Sequence, residues 1–426
     1  MAVQTIELAL TAFLLLMLFA QIVARRARVP FTLVLVFVGL AVSALAAMSV
    51  APSNAIATAL QSTILQMRTL YTGLVSGGLF VGLVVPPLIF EAMMHIQATD
   101  LRAVIRPSIV LATAGVLIAT VIGGLVLWQL AGLSLVVSFL FAAIVAPTDV
   151  VTVLEIFRRS KVPTRLAALM DTEAAFNDAT AIVVFSIVVS SISVARVPIL
   201  SAVSFFGFST LGGVVVGLFV ALTARRISSL TEDKIAETIL TISAVYGSYV
   251  FATGIGVSGL IAVAVVGLYF GNVTMRATMD APSREAVTTF WEIAAFVGTS
   301  IAFLLIGFET NLVFLAQSVL LVIVAYGAVT AARAASVYPI LALFNQVGQK
   351  MPIAWSNTAM LGGMRGALSI ALVASLAGSA LLSESDIQTL TTMVVGVAFL
   401  SIVVQAPLLS RYIKKKFGSQ QQLNQN

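Results

Sequence analysis

The chain has 426 residues, of which 60% are hydrophobic and only 9% charged, with a mean hydropathy of +1.10. That composition excludes a soluble domain and reads as a single all-α polytopic membrane protein over residues 1–426. The net charge of +6 needs no nucleic-acid or soluble enzyme partner, because basic loops facing anionic lipid account for it. The absence of cysteine excludes disulfides and thiolate metal sites.

A helix needs about 20 apolar residues to cross the hydrocarbon core. In chain order the apolar runs predict spans at 6–24, 30–48, 74–94, 107–129, 133–157, 166–193, 199–224, 236–253, 256–273, 287–308, one within 312–343, 355–378 and 387–410. That makes thirteen transmembrane helices. The first has neither a basic leader nor a small-residue cleavage site and is expected to stay in the mature protein. Residues 55–72 carry Gln61, Gln66 and Arg68 and read as interfacial. Residues 413–426 read as a polar cytoplasmic tail.

The basic residues orient the spans. With the N-terminus outside and the C-terminus cytoplasmic, 19 of the 23 Lys and Arg fall in inside loops, among them Arg25, Arg26, Arg158, Arg159 and Lys414. Arg68 and Arg196 alone fall outside, and Arg333 and Arg365 lie within spans. This is the bias of the positive-inside rule, and an even number of spans would scramble it.

Two spans carry interruptions. In the fifth, Ala146-Pro147-Thr148-Asp149 puts a proline near the centre, where it removes a backbone donor and clashes one turn back. In the twelfth, Gly362-Gly363-Met364-Arg365-Gly366 places three glycines and a charge together. Broken helices persist in lipid only where protein or a cavity satisfies the freed backbone. The breaks are seven spans apart, an odd offset that gives the two helices opposite orientations. The pattern predicts an inverted repeat, spans 1–6 against 8–13, with the two discontinuous helices crossing at mid-membrane beside the binding site.

Charge is concentrated around the first break. Asp149 sits in it, and Glu173, Asn177 and Asp178 follow on the sixth span. A carboxylate at that depth costs about 2.5–3.5 kcal/mol on insertion scales, a cost normally met only where it meets an ion, a proton or a counter-charge. Hard cations take oxygen ligands. Asp149, Asp178 and Thr148, with carbonyls freed at the break, supply them. Burial favours the protonated carboxyl and a bound cation the ionised one, so the same oxygens hold a proton or a cation in turn. That is the simplest physical basis of cation–proton exchange. Arg333 and Arg365 cannot shed their charge, so each needs a partner, and Glu173 with Arg333 is the favoured pair.

Five strings in order carry a family resemblance: Pro86-Pro87-Leu88-Ile89-Phe90-Glu91, Ala146-Pro147-Thr148-Asp149, Glu173 to Asp178, Arg333-Ala334-Ala335-Ser336-Val337-Tyr338, and Gly363-Met364-Arg365-Gly366-Ala367. Together they resemble the NhaP/NHE-type sodium–proton antiporters of the monovalent cation–proton antiporter family. The resemblance implies a homodimer in a prokaryotic plasma membrane, with a dimerisation part from spans 1–3 and 7–10. A core from spans 4–6 and 11–13 would work by elevator-like alternating access. It implies a cation such as Na+, Li+ or K+ at Asp149 and Asp178, helped by Thr148 and Glu173, with Asn177 orienting the site. It implies no cofactor, a Glu173–Arg333 ion pair and, from an Asn-Asp rather than an Asp-Asp pair, electroneutral exchange. Two residues depart from the family pattern: Val150 stands where a proline is usual and Ala174 where a serine is usual.

Other features have ordinary readings. His95 reads as a solvated interfacial residue, and Glu292 and Glu309 as snorkelling or capping residues near span ends. Asp171 reads equally as the inner entrance of the ion path or as a hydrated helix start. Gly213 with Gly217 marks close helix packing, and Trp128, Trp291 and Trp355 read as interface anchors. An intramembrane serine protease is suggested by Gly256-Val257-Ser258-Gly259, but it lacks a base for the serine. A sodium-coupled symporter of an organic anion is the stronger rival, with Arg365 as the cation for the anion.

Overall fold

The computed structural model describes residues 2–27, 29, 31–48, 79–149, 153, 156–157, 162–193, 199–309, 312–376 and 381–417. The expected interfacial stretch 55–72, together with Arg28, Val150, Arg158, Arg159, Lys161 and Arg196, lies outside them.

Every described element is helical. The first three are α1 (Ala2–Ala27), α2 (Phe31–Met48) and α3 (Leu79–His95). The long helix α4 (Ala98–Ala131) precedes the short α5 (Leu135–Ile144) and α6 (Thr164–Ser193). Then come α7 (Ile199–Ser228), α8 (Lys234–Gly254), α9 (Gly259–Ala277) and α10 (Ala281–Glu309). The chain continues through α11 (Leu312–Gln317), α12 (Val319–Gln346), α13 (Ile353–Leu361), α14 (Ala367–Ala374) and α15 (Glu384–Phe417). Among the described residues nine helices are long and apolar enough to cross a membrane, and α2, α3 and α5 contain shorter apolar stretches. The molecule is an integral membrane protein of the polytopic helical kind.

The chain ends depart from the sequence reading. Helix α15 runs through residues 413–417, and Ile413 is fully buried, so a polar tail starting at 413 is corrected. The rest of the expected tail, residues 418–426, lies outside the described residues.

The faces of the helices explain their positions. On α7, Phe208, Leu211, Val215 and Phe219 project outward and are more than 60% exposed, an apolar surface that only lipid or another apolar partner tolerates. The opposite side of α7 is a seam of small residues. A Cβ on Gly213 would lie 2.6 Å from the Ser258 carbonyl, and one on Gly217 2.5 Å from that of Ala262. The glycines thus let α7 and α9 touch backbone to backbone. Ser258 caps α9 by accepting from the Ile261 N–H. That is the job of the serine in the protease-like string.

Helix α3 continues through Pro86 and Pro87. Pro87 leaves the Leu83 carbonyl without its helical donor, and the Tyr246 hydroxyl of α8 donates to that carbonyl at 3.0 Å. The freed carbonyl is thereby satisfied from a neighbouring helix, as lipid requires. Trp291 corrects an expectation. It is fully buried, packs against Phe90 with ring centroids 4.6 Å apart and tilted by 49°, and donates to Thr241. Trp355 is also buried, with the Arg165 guanidinium 5.8 Å from its ring. Of the three tryptophans only Trp128, 44% exposed, has the exposure of an interface anchor.

Candidate functional site

Helix α5 stops at Ile144, and residues 145–149 are non-helical. Pro147 cannot donate to the preceding turn and disfavours helical backbone at Ala146. The second interruption spans residues 362–366, between α13 and α14. The two non-helical stretches meet. The Asp149 N–H donates to the Met364 carbonyl at 2.7 Å, and Gly366 faces Asp149 so closely that an added Cβ would lie 2.8 Å from its Cγ.

Arg365 answers the polar groups that the first break frees. Its Nη1 donates to the carbonyls of Ala146 at 2.7 Å and Pro147 at 3.2 Å, and its own N–H donates to the Ser401 hydroxyl. Ser401 opens a π-helical turn, Ser401–Gln405, inside α15. Arg365 is 2% exposed and is not on the cavity wall, which removes it as the anion-binding group of a symporter.

Helix α6 presents two polar faces. Glu173 and Asn177, one turn apart, point inward. Both Glu173 oxygens accept from Arg333 of α12, Oε1 from Nη1 and Oε2 from Nη2 at 3.0 Å. The Asn177 Nδ2 donates to the Thr148 hydroxyl at 2.7 Å, whereas its Oδ1 is buried without a partner. The second face, Asp171, Ala174, Ala175 and Asp178, follows the i, i+3, i+4, i+7 spacing of one helix stripe and lines a cavity of about 560 Å³.

Thr148 and Asp149 form part of the same cavity wall, with Gly366 and Ser369 from the second break. Asp149 and Asp178 lie close enough to interact electrostatically. The sequence-derived group therefore divides. Asp149, Asp178 and Thr148 face the cavity, whereas Glu173 and Asn177 do not reach its wall and hold Arg333 and Thr148 respectively. Pro147 also lines it, and Ala174 contributes a methyl where a hydroxyl was expected in the family pattern.

Several lining residues were missed or misread. Glu292 lines the cavity rather than simply snorkelling at a span end, and Glu91, Thr32, Thr299 and Arg25 line it too. The signal available was a further carboxylate, Glu292, inside an apolar run. His95 stays at the periphery, exposed, with its Nδ1 2.8 Å from the Glu91 carbonyl. Glu309 closes α10, and its side chain lies outside the described residues. Among the described residues there is no group of three or more His, Cys, Asp or Glu able to hold a metal ion. An oxygen-lined site of two carboxylates and a hydroxyl suits a cargo cation rather than a resident metal.

Interrupted helices that meet beside carboxylates inside a helical membrane protein define a secondary transporter. The family described as "Sodium/hydrogen exchanger, transmembrane" matches residues 12–415, and the chain belongs to it. It is 35% identical over 335 residues to the Na(+)/H(+) antiporter ApNhaP of Aphanothece halophytica, a match covering 78% of this chain and 63% of that protein. The chain thus spans less than two thirds of that relative's length. It is 34% identical to the Na(+)/H(+) antiporter NhaP of Pseudomonas aeruginosa, over 79% of this chain and 80% of that one. The low-affinity Na(+)/H(+) antiporter NhaS1 of Synechocystis is 31% identical, over 91% and 69%. The fold is similar to that of the sodium proton antiporter MjNhaP1 from Methanocaldococcus jannaschii. There the TM-score is 0.73 at 20% identity, over 97% of this chain and all of the other.

Proposed function

We propose that this protein is a secondary antiporter that exchanges a monovalent cation, sodium foremost and lithium or potassium as variants, for protons. One observation carries the reading: Asp149, Asp178 and Thr148 lie on one cavity. Two neighbouring carboxylates resist double ionisation unless a cation neutralises them, so cation and proton exclude one another there. Glu173 fixes Arg333, and Asn177 orients Thr148.

The same reading takes the chain as thirteen spans in an inverted repeat, with the N-terminus outside and the C-terminus in the cytoplasm. It assigns a homodimer in the plasma membrane, a dimerisation part from spans 1–3 and 7–10, and a moving core from spans 4–6 and 11–13. Alternating access moves one cation against one proton. Membership of the exchanger family and the meeting of the two breaks at Asp149 and Met364 support it.

The test is exchange in proteoliposomes under an imposed pH gradient, with sodium, lithium and potassium in turn and with membrane voltage clamped or free. The wild-type rate is expected to be bell-shaped in pH, because protons compete for the site at low pH and are scarce at high pH. Asp178→Asn is expected to abolish exchange in a protein that still folds. A flat profile between about pH 6 and 9, or retained exchange in Asp178→Asn, overturns the shared site.

A further inference from the structure

Among the described residues, five carboxylates, those of Glu91, Asp149, Asp171, Asp178 and Glu292, share the cavity wall with one cationic side chain, Arg25. Arg25 stands in the last turn of α1 and is exposed. Among the described residues it forms no ion pair. Its guanidinium keeps its charge at every physiological pH. A positive charge on this wall opposes the approach of the very ions the carboxylates attract.

The carboxylates create the problem that such a charge solves. Hard divalent ions prefer carboxylate oxygens, and the field of a wall carrying five carboxylates attracts a divalent ion about twice as strongly as Na+. An ion of that kind on Asp149 and Asp178 would block a monovalent exchanger. Electrostatic energy scales with the charge of the ion. One fixed positive charge therefore repels a divalent cation twice as strongly as a monovalent one, and the exclusion factor is squared.

We propose that Arg25 is a specificity-determining residue that holds divalent cations out of the acidic cavity, at a smaller cost in sodium affinity. The proposal rests on the cavity being the cation path. A single charge at a hydrated rim changes the local concentration of a monovalent ion by about two- to fourfold at moderate salt, and that of a divalent ion by about four- to sixteenfold.

The test measures sodium–proton exchange by the full chain in proteoliposomes, with Mg2+ titrated on both sides. In Arg25→Gln the apparent KM for sodium should fall about two- to fourfold, and the Mg2+ concentration giving half-inhibition at sodium well below KM about four- to sixteenfold. Arg25→Glu should extend both shifts, and Arg25→Lys should restore wild-type values for both ions. Added choline chloride should shrink the difference between Arg25→Gln and wild type, because salt screens it. Unchanged Mg2+ sensitivity in Arg25→Gln and Arg25→Glu overturns the proposal. So do equal shifts for the two ions, or an Arg25→Lys variant that behaves like Arg25→Gln. Asp178→Asn, measured alongside, separates the two claims. If it is inactive while the Arg25 variants leave Mg2+ inhibition unmoved, only the role of Arg25 fails. If it still exchanges, the reading of the cavity itself fails.

Discussion

Two buried arginines lie at the second break, Arg365 within it and Arg333 packed against its Gly363, and their surroundings differ in kind. Around Arg333 the guanidinium meets a full counter-charge, both oxygens of Glu173, and also donates to the Ala359 carbonyl. Around Arg365 its hydrogen bonds go to backbone oxygens of the first break, at Ala146 and Pro147. The first region is an ion pair between two continuous helices. The second is a cation solvated by carbonyls that an interrupted helix sets free. One charge is cancelled where it lies. The other is met by carbonyl dipoles of the break that carries Asp149.

That contrast is sharpest at Glu173. Glu173→Gln is expected to strand Arg333 and lower stability by about 3–5 kcal/mol. The double change Glu173→Gln with Arg333→Gln should cost less than the single one, as read from thermal melts in detergent. Additive losses would mean that the two residues do not act as a pair. Next in size is Gly366→Ala, whose methyl would press on Asp149 at 2.8 Å from its Cγ. Exchange should fall about tenfold or more, about 1.4 kcal/mol of barrier, because sites of this kind tolerate displacements of only about 0.5 Å. Gly363→Ala, whose methyl would meet the Arg333 side chain at 3.0 Å from Nε, should cost less, since a long side chain gives way more easily than the short Asp149 side chain, whose Cβ is fixed to the backbone. Equal effects would erase the distinction between the two regions. Smallest is Thr148→Val, which removes the acceptor of Asn177 and should lower the melting stability by about 1 kcal/mol.

Much of this was legible from residue types alone. A proline inside an apolar run announces a missing backbone donor, and carboxylates inside apolar runs need a purpose. These two facts led to the pairing of Asp149 with Asp178 and to the place of the first break. The partner of Arg365 was not legible, because carbonyl acceptors carry no signature in the sequence. The two faces of α6 were half legible. Helical spacing groups Glu173 with Asn177, but only packing against α12 decides that this face, and not that of Asp171 and Asp178, turns away from the cavity. Trp291 and Glu292 were misread for the same reason: closeness to a span end does not say which neighbours cover that end. Arg25 orients the first span in the sequence, and nothing in a linear reading brings it to the cavity that Asp171 also lines. The need of Leu83 for Tyr246 was predictable from Pro87, but the identity of the donor was not.

The bond between the Asp149 N–H and the Met364 carbonyl has one further consequence. It joins two distant stretches of chain through atoms that every residue except proline possesses. Replacing the side chain at either position leaves this rivet standing, so side chains at the junction can change while the junction itself endures. Proline at 149 is the one substitution that would unfasten it.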